Sequence, residues 1–247
     1  MDAAPRPHRP LAVASLSGNV DALPYPKPTR EEAMQAVRTL LAWAGDDPRR
    51  EGLIDTPSRV VGAYSEWFAG YTADPAKELS RTFEDVQGYD DIVMLRDIDV
   101  ESHCEHHMAP FLGKAWVAYM PTNAVVGISK IAKVVEIFSK RLQTQETMTQ
   151  QIIGAINETL KPAGAAVMID AQHQCMTTRG VHHKNVSTIT TQFSGVFKTD
   201  AAHQCMTTRG VHHRHVTTIT TQFTGVFKTD PTLRQRFLDF VNRPSNR

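Results

Sequence analysis

Cysteine and histidine residues form two short clusters that lie far apart in this 247-residue chain. The first is His-Cys-Glu-His-His at residues 103–107, and the second is His173-Gln174-Cys175. Cys104 and His107 stand three residues apart, so one short turn can direct a thiolate and an imidazole nitrogen toward the same point. Cys175 supplies a third candidate ligand. If the three bind one metal, the fold must bring two distant segments together.

These three residues predict a zinc site of the Cys2His type whose fourth tetrahedral position is open. Catalytic zinc sites keep that position for water or substrate, whereas structural sites usually close it with a fourth protein ligand. In a catalytic site, the unbound imidazoles of His106 and His173 would be candidates for proton transfer near neutral pH. In a structural site, His103, His173 or Cys205 would be the closing ligand. The residues alone do not distinguish a catalytic zinc site from a structural one.

The composition of the chain favours metal binding and argues against nucleic acid and the membrane as partners. A lone histidine is usually packed or solvent-exposed, but ten of the eleven fall in residues 103–107 or 173–215, with all three cysteines. Three cysteines in a chain of this length fit metal ligation in a reducing compartment better than a disulfide framework. We therefore expect a cytoplasmic protein. The formal charge of +1 gives no overall field for nucleic acid. The apolar run Leu11 to Ala14 is too short for a signal peptide, and no later run approaches a membrane span.

Periodicity and turn residues predict an alternation of helices and strands after a proline-rich arm at residues 1–28. The predicted elements of the single domain 29–247 are a helix begun by the capping box Thr29–Glu32 and ending near Gly45, a helix capped by Thr56 with Pro57 in its first turn, strands at 92–100, 114–120 and 124–128, a helix capped by Ser129, a helix from Glu146 or Thr147, a strand at 165–176 and a helix at 233–241. Strand, ligand loop and strand recur around two consecutive helices, which predicts an α+β fold with an antiparallel sheet. Lys130 and Lys133 fall in the first turn of the Ser129 helix, where backbone donors favour an anion.

Residues 171–200 and 201–230 form a tandem repeat that differs at five positions. Two copies are too few for a solenoid, so we interpret the repeat as a duplicated segment within one domain. Only one His-x-Cys pair can complete each zinc site, and the candidates are His173/Cys175 and His203/Cys205. The first pair is favoured because the strand predicted from residue 165 leads directly into it. The second copy leads directly to the predicted C-terminal helix, so a chain that looped out the first copy would keep the same connectivity.

Five motifs of this chain resemble the GTP cyclohydrolase I family and occur in that family's order. They are Gly52-Leu53 with Thr56-Pro57-Ser58-Arg59, Ser102 to His107, Gly127 to Lys130, Gln143-Thr144-Gln145-Glu146, and His173-Gln174-Cys175 with Arg179-Gly180-Val181. The resemblance runs from about residue 30 to the end. It implies a T-fold subunit, with two helices on one face of an antiparallel sheet, that forms a barrel-shaped pentamer and a homodecamer. It also implies hydrolytic opening of guanine in GTP to 7,8-dihydroneopterin triphosphate and formate, the first step of folate and pterin biosynthesis.

The resemblance also assigns roles to individual residues. Zn²⁺ is held by Cys104, His107 and Cys175, as the spacing suggests. His173 protonates guanine N7, and His106 is a second proton-transfer or positioning group. The remaining substrate-binding residues are Glu146 on guanine N1–H and the 2-amino group, its neighbour Gln145, Ser129 near the ribose, and Arg59, Lys130, Lys133 and Arg179 on the triphosphate. Lys133 stands where many relatives carry arginine, which keeps the charge but loses the bidentate fork.

Two alternatives remain beside this reading. One is a zinc-stabilised binding module with a closed metal site. The other is a T-fold enzyme that acts on another purine or pterin, although such relatives generally lack the paired Cys-Glu-His-His and His-x-Cys motifs. Metal analysis with and without GTP separates a closed site from a catalytic one.

Overall fold

The computed structural model describes residues 26–83, 92–122, 124–180, 182 and 186–199. The first copy of the repeat is therefore largely described. Most of the predicted N-terminal arm, the second copy at 201–230 and the helix predicted at 233–241 lie outside the described residues.

Helices and strands alternate along the described chain much as the periodicity predicts. The elements are α1 (Arg30–Trp43), α2 (Thr56–Trp67), α3 (Pro75–Leu79), β1 (Thr82–Phe83), β2 (Val93–Cys104), β3 (Pro110–Met120), β4 (Val125–Val126), α4 (Ile128–Ser139), β5 (Leu142–Gln143), α5 (Gln145–Leu160), β6 (Gly164–His173), α6 (Gln174–Thr177), β7 (Thr188–Gly195) and α7 (Val196–Thr199), with a 3-10 turn at Ala69–Thr72. The main sheet has the order β5-β2-β3-β6-β7, and β1 pairs with β4 separately. All main-sheet neighbours are antiparallel except the short β5, which is parallel to β2. The α+β class is confirmed, with a mixed sheet.

The core forms between the main sheet and two consecutive helices. Alternate residues of β3 point to the same side, so Phe111, Val117 and Tyr119 join one buried cluster. The apolar positions of α4 and α5 recur at steps of three and four and enter the same cluster. They are Ile131, Val134, Val135, Phe138, Met148, Ile152 and Ile156. This packing fixes the sheet ends on which the candidate ligands lie.

Several predicted element ends are wrong by a few residues: β2 ends at Cys104 rather than at residue 100, β3 begins at Pro110 rather than at residue 114, and β4 covers only two residues of the predicted 124–128. Three further ends also differ. Ser129 does not cap α4, because the helix begins one residue earlier at Ile128 with Gly127 as N-cap. Thr56 is the first residue of α2, and the N-cap Asp55 makes no side-chain capping bond. The strand predicted at 165–176 ends at His173. Its ladder to β3 stops there because the partner strand begins at Pro110, which has no N–H to donate. Cys175 therefore lies on the short helix α6.

The two N-terminal helices lie against each other more than against the sheet. The capping box at Thr29 is confirmed, with reciprocal bonds to Glu32. Within the described residues, however, α1 has no buried side chain and α2 has only Pro57. Trp43 is 85% exposed. The apolar periodicity predicts amphipathic helices with a buried face on α2, but that face is only partly covered in one chain, and Trp67 is 45% exposed. In the part of the chain that is described, no helix has the length and apolar character needed to cross a bilayer.

Candidate metal centre and active site

The sheet brings the two Cys/His clusters to one edge. Cys104 ends β2, and Cys175 follows the end of β6. Between these strands lies β3, whose Phe111 pairs with Ser102 on one side and with His173 on the other. Because β2 and β6 both run antiparallel to β3, their C-terminal ends meet at the start of β3. The predicted meeting of two distant segments is confirmed.

Cys104, His107 and Cys175 have ligand atoms that all lie within 4.8 Å of one another. Zinc bond lengths of about 2.0 to 2.3 Å separate tetrahedral ligand atoms by about 3.3 to 3.8 Å, so a small movement suffices to close the set on one ion. The turn after β2 is tight, because the Cys104 carbonyl oxygen accepts from the backbone nitrogens of His107 at 3.3 Å and Met108 at 2.8 Å. This turn gives the i,i+3 pair its common direction.

The surroundings of the Cys175 thiol disfavour its thiolate form. Burial raises the pKa of Cys175, and the neighbouring Cys104 thiol raises it further, while Arg179 acts in the opposite direction. Cys104 is only 5% exposed. A divalent cation supplies positive charge and deprotonates coordinating thiols. The donor set of two sulfurs and one imidazole, from a buried Cys104, a half-buried Cys175 and an exposed His107, therefore fits zinc.

His173 lies beside this group with its ring held on two sides. The ring stacks on Phe111 with centroids 4.4 Å apart and planes 9° apart. Its Nε2 lies 2.9 Å from Oε1 of Gln145. Burial lowers the pKa of His173, and the negative charge of Glu146 opposes that shift. Glu146 is exposed in the first turn of α5. The candidate acid and the candidate guanine-binding carboxylate are thus neighbours.

The other histidines of the first cluster have different surroundings. His106 is exposed, and its Nδ1 lies 3.7 Å from the sulfur of Cys104. His103 stacks on Trp67 at 4.9 Å and contacts Phe68 edge-on at 5.3 Å. Burial there lowers the pKa of His103. Neither His103 nor His173 joins the group of ligand atoms among the described residues, so these residues do not close the metal site. Cys205, the other candidate, lies outside the described residues.

The lysines predicted to bind phosphate form ion pairs that a phosphate can replace at a small cost in free energy. Lys130 pairs with Glu78 at 2.8 Å, and Lys133 pairs with Glu136 at 2.9 Å, near the start of α4 beside Ser129. Ion pairs of this exposure contribute about 0 to 1 kcal/mol, so exchanging a carboxylate for a phosphate is inexpensive.

The two arginines predicted to bind the triphosphate, Arg59 and Arg179, differ in their position relative to the candidate metal ligands. Arg179 is exposed and close enough to Cys175 to affect its pKa. Arg59 has Asp55 as its side-chain partner at 3.4 Å, and no contact within the described part of the chain joins it to the ligands. Within the described part of the chain, contacts and charges therefore link His106, His173, Gln145, Glu146 and Arg179 to the ligand group, and none links Arg59, Ser129, Lys130 or Lys133 to it.

Sequence reasoning missed the residues that hold the histidines. Phe111 and Trp67 are ordinary apolar positions in the sequence, and only the fold places them against His173 and His103. For Phe111, the proline before it and its place at the start of a strand beside the ligand loop were available signals. For Trp67 we find none in the sequence.

Comparison with known proteins decides the family. The model of the family described as GTP cyclohydrolase I matches residues 33–202 and, again, residues 198–242. The chain belongs to the GTP cyclohydrolase I family. The two overlapping matches follow the tandem repeat, because the second covers the second copy and the segment after it.

Individual relatives agree with this family assignment. The GTP cyclohydrolase 1 of Hyphomonas neptunium is 75% identical over 173 residues, which are 70% of this chain and 84% of that protein. The GTP cyclohydrolase 1 of Maricaulis maris is 73% identical over 172 residues, 70% of this chain and 84% of that protein. That of Allorhizobium ampelinum is 58% identical over 173 residues, 70% of this chain and 86% of that protein. Among solved structures, the apo archaeosine synthase QueF-Like covers 42% of this chain and 93% of its own at 19% identity, and its TM-score of 0.36 is too low to support an argument.

Proposed function

We propose that this member of the GTP cyclohydrolase I family is a zinc-dependent enzyme that hydrolyses the imidazole ring of guanine in GTP and yields 7,8-dihydroneopterin triphosphate and formate. The observation that carries the proposal is the convergence of Cys104, His107 and Cys175 within 4.8 Å, with His173 and Glu146 beside them. Relatives that are up to 75% identical carry the name GTP cyclohydrolase 1.

Guanine recognition falls to Glu146. An ionised carboxylate only accepts hydrogen bonds, and its two oxygens match the N1–H and 2-amino donors of guanine. Adenine offers no N1–H and no 2-amino group at these positions, so it would leave the carboxylate unpaired. Glu146 is exposed at the first turn of α5, where the helix end favours negative charge and the side chain is free to meet a ligand.

The metal ligands and the two histidines divide the chemistry. Zinc, when bound by Cys104, His107 and Cys175, supplies a Lewis acid that lowers the pKa of water toward about 7. His173 donates a proton to guanine N7 as the ring opens. His106 is exposed next to Cys104 and serves as the second proton-transfer or positioning group. Partial burial of His173 between Phe111 and Gln145 keeps its ring in one orientation for this transfer.

Triphosphate binding falls to basic residues around the start of α4. The N-terminal end of a helix favours an anion, although the backbone N–H of Lys130 already donates to the carbonyl oxygen of Gly127 at 2.8 Å. Lys130 lies in the first turn of α4 and Lys133 in the next, Ser129 is next to Lys130 for the ribose, and Arg179 extends from the Cys175 side. Arg59 completes the set if a second subunit brings it close. The exposed apolar residues of the α1–α2 pair support assembly into the family's barrel-shaped decamer. The proposed location of this assembly is the cytoplasm.

The direct test is turnover of GTP by the purified protein, followed by the fluorescence of the pterin and by release of formate. ATP is the matched control, and we expect no pterin from it. Cys104→Ser should abolish both stoichiometric zinc and turnover, because a neutral hydroxyl is a poor zinc ligand beside a thiolate. Full activity of a metal-free Cys104→Ser protein would contradict the zinc assignment. Zinc binding without any turnover of GTP would favour a structural site.

A further inference from the structure

Gln145 is a polar side chain that the fold has buried almost completely. It is the first residue of α5 and only 1% exposed, although the adjacent Glu146 is exposed. Its amide nitrogen lies 3.1 Å from the carbonyl oxygen of Ile169, 2.8 Å from that of Thr188 and 3.2 Å from Oγ1 of Thr190. Its amide oxygen lies 2.9 Å from Nε2 of His173. Every polar atom of this side chain is thus engaged inside the chain.

The surroundings allow only one orientation of the Gln145 amide. The backbone oxygens of Ile169 and Thr188 are acceptors only, so the NH₂ group must face them. A flipped amide would set its oxygen against two carbonyl oxygens and leave buried acceptors unpaired, which is costly. Oε1 of Gln145 therefore faces His173.

Two hydroxyls reinforce that orientation. Thr149 donates to the backbone oxygen of Gln145 at 2.7 Å, so its hydroxyl proton is used there. The Thr190 hydroxyl lies 2.6 Å from that of Thr149 and must then donate to it. This leaves Oγ1 of Thr190 as an acceptor for the Gln145 amide. With the amide nitrogen on the Thr190 side, its two hydrogens are shared among three acceptors, whereas the flipped amide would set its oxygen against two carbonyl oxygens.

An oxygen that only accepts hydrogen bonds requires a proton on the histidine nitrogen that it faces. Nε2 of His173 must therefore carry hydrogen, and the neutral ring is the Nε2–H tautomer. Stacking on Phe111 with planes 9° apart holds the ring in this plane. Nδ1 has no hydrogen-bond partner among the described residues, so it is the nitrogen left for exchange of a proton with a ligand.

We propose that Gln145 is a positioning residue that holds His173 in the Nε2–H tautomer and makes Nδ1 the atom that delivers the proton to guanine N7. The N–H bond at Nδ1 breaks as the N–H bond at N7 forms, and the ring returns to the neutral tautomer that Gln145 selects. That the proton acceptor is guanine of GTP rests on the proposed function. Gln145 then contributes to catalysis through His173 and makes no side-chain contact with GTP.

The kinetic test is a double-mutant cycle of Gln145→Met and His173→Asn. Positioned acid–base groups contribute about 10²- to 10⁴-fold, so Gln145→Met should lower kcat about 10- to 100-fold while KM for GTP changes less than about twofold. In the His173→Asn background the same change should alter kcat less than about twofold, because the group that Gln145 orients is gone. Zinc content should remain stoichiometric in all four proteins. Equal losses in both backgrounds, or a raised KM at unchanged kcat, would overturn the proposal.

A spectroscopic test needs neither turnover nor a stable Gln145 variant. Solid-state NMR of the zinc-loaded protein labelled with ¹⁵N-histidine reports the tautomer of each neutral ring, and the His173 signals are those lost in His173→Asn. At about pH 8, where an ordinary histidine is neutral, we expect hydrogen on Nε2 of His173. Hydrogen on Nδ1 would overturn the tautomer assignment. A protein with the Nε2–H ring but no GTP turnover would instead refute the proposed function and leave the positioning role standing.

Discussion

Cys104 and Cys175 come together because both follow strands that pair with β3, and the continuity of β6 supports the first copy of the repeat as the source of the third ligand. From Gly164 to His173 every residue of β6 pairs with β3. Looping out residues 171–200 would break this strand between Asp170 and Ala171, and Ala171 is only 2% exposed. The His-x-Cys pair that continues β6 is therefore His173/Cys175. The sequence favoured this pair through strand continuity, and the ladder supplies the physical reason.

Paired substitutions test the choice of copy. Cys175→Ala should lose zinc and GTP turnover, because it removes one of three ligands, whereas Cys205→Ala should keep both. Zinc is measured by metal analysis of the purified proteins and turnover by pterin fluorescence. The reverse result would assign the site to the second copy. Survival of both variants would mean that the copies substitute for each other.

Glu146→Gln tests guanine recognition at a single exposed side chain. The change turns one acceptor oxygen into a donor that faces the donors of guanine, which should cost about 2 to 4 kcal/mol in transition-state binding. We expect kcat/KM for GTP to fall about 30-fold or more, with zinc content unchanged. Glu158→Gln is the control, because it removes the same charge from an exposed position near the other end of α5. A loss below about threefold, or an equal loss in the control, would refute the assigned role.

What the sequence could predict at this scale depends on sequence separation. Cys104 and His107 were found from local spacing alone. The role of Gln145 was not, because its partners Ile169, His173 and Thr188 stand 24 to 43 residues away on two different strands. No local pattern marks an amide that becomes buried between distant strands, so only the family resemblance assigned Gln145 a role, as a substrate contact, and that assignment stays a prediction.

At the scale of elements, hydrophobic period and capping residues predicted the type of the four longest helices, α1, α2, α4 and α5, and of the strands β2, β3 and β6. The capping box of α1 and the alternation in β2 are both present. The errors fall at ends, where local preference competes with pairing. Gly127 in an extended conformation begins α4 before Ser129 can cap it, and β6 stops where β3 begins. β7 and α7 were missed because the repeat offered the same sequence twice.

Phe197→Ala with Phe227→Ala tests whether the first copy also supplies the edge of the sheet. Phe197, in α7 just after β7, has no exposed surface and packs with Ala118 and Ala166. Its truncation should cost about 3 to 5 kcal/mol of unfolding free energy. Phe227 is the equivalent residue of the second copy, and we expect less than about 1 kcal/mol for its truncation. Urea unfolding midpoints measure both. Equal losses would mean that both copies pack in the fold.

At the scale of the whole molecule, the feature that most needs an explanation is the exposure of apolar side chains on and near α1 and α2 in the single chain. Leu40 and Trp43 project from α1 with exposures of 63% and 85%, and Ile54 before α2 is 63% exposed. Leu40 and Trp43 stand about one helical turn apart, and neighbouring exposed apolar side chains are typical of a protein interface. The sequence predicted the amphipathic helices but not their cover, because an amphipathic period does not say which chain buries the apolar side. Only the family resemblance suggested a decamer.

Trp43→Glu tests this interface in the assembled protein. The wild-type protein should elute in light scattering at about ten times its 27.5 kDa chain mass. An aromatic side chain buries about 150 to 250 Å², so replacing it with a carboxylate removes several kcal/mol at each interface and adds a desolvation cost. We therefore expect a smaller assembly at low micromolar concentration. Turnover should fall with the assembly, because the proposed phosphate set needs Arg59, which one chain does not bring to the metal ligands.

Ala42→Glu is the matched control for that experiment. It places the same charge one residue earlier, about 100° around the helix and away from Leu40, at an exposed position. Both changes put a carboxylate in the last turn of α1, where the helix dipole disfavours it equally, so any difference between them reports the apolar face. Ala42→Glu should keep the wild-type mass and turnover. A wild-type protein that turned over GTP as a monomer, or equal losses of mass in the two variants, would show that this face is not the interface that completes the site.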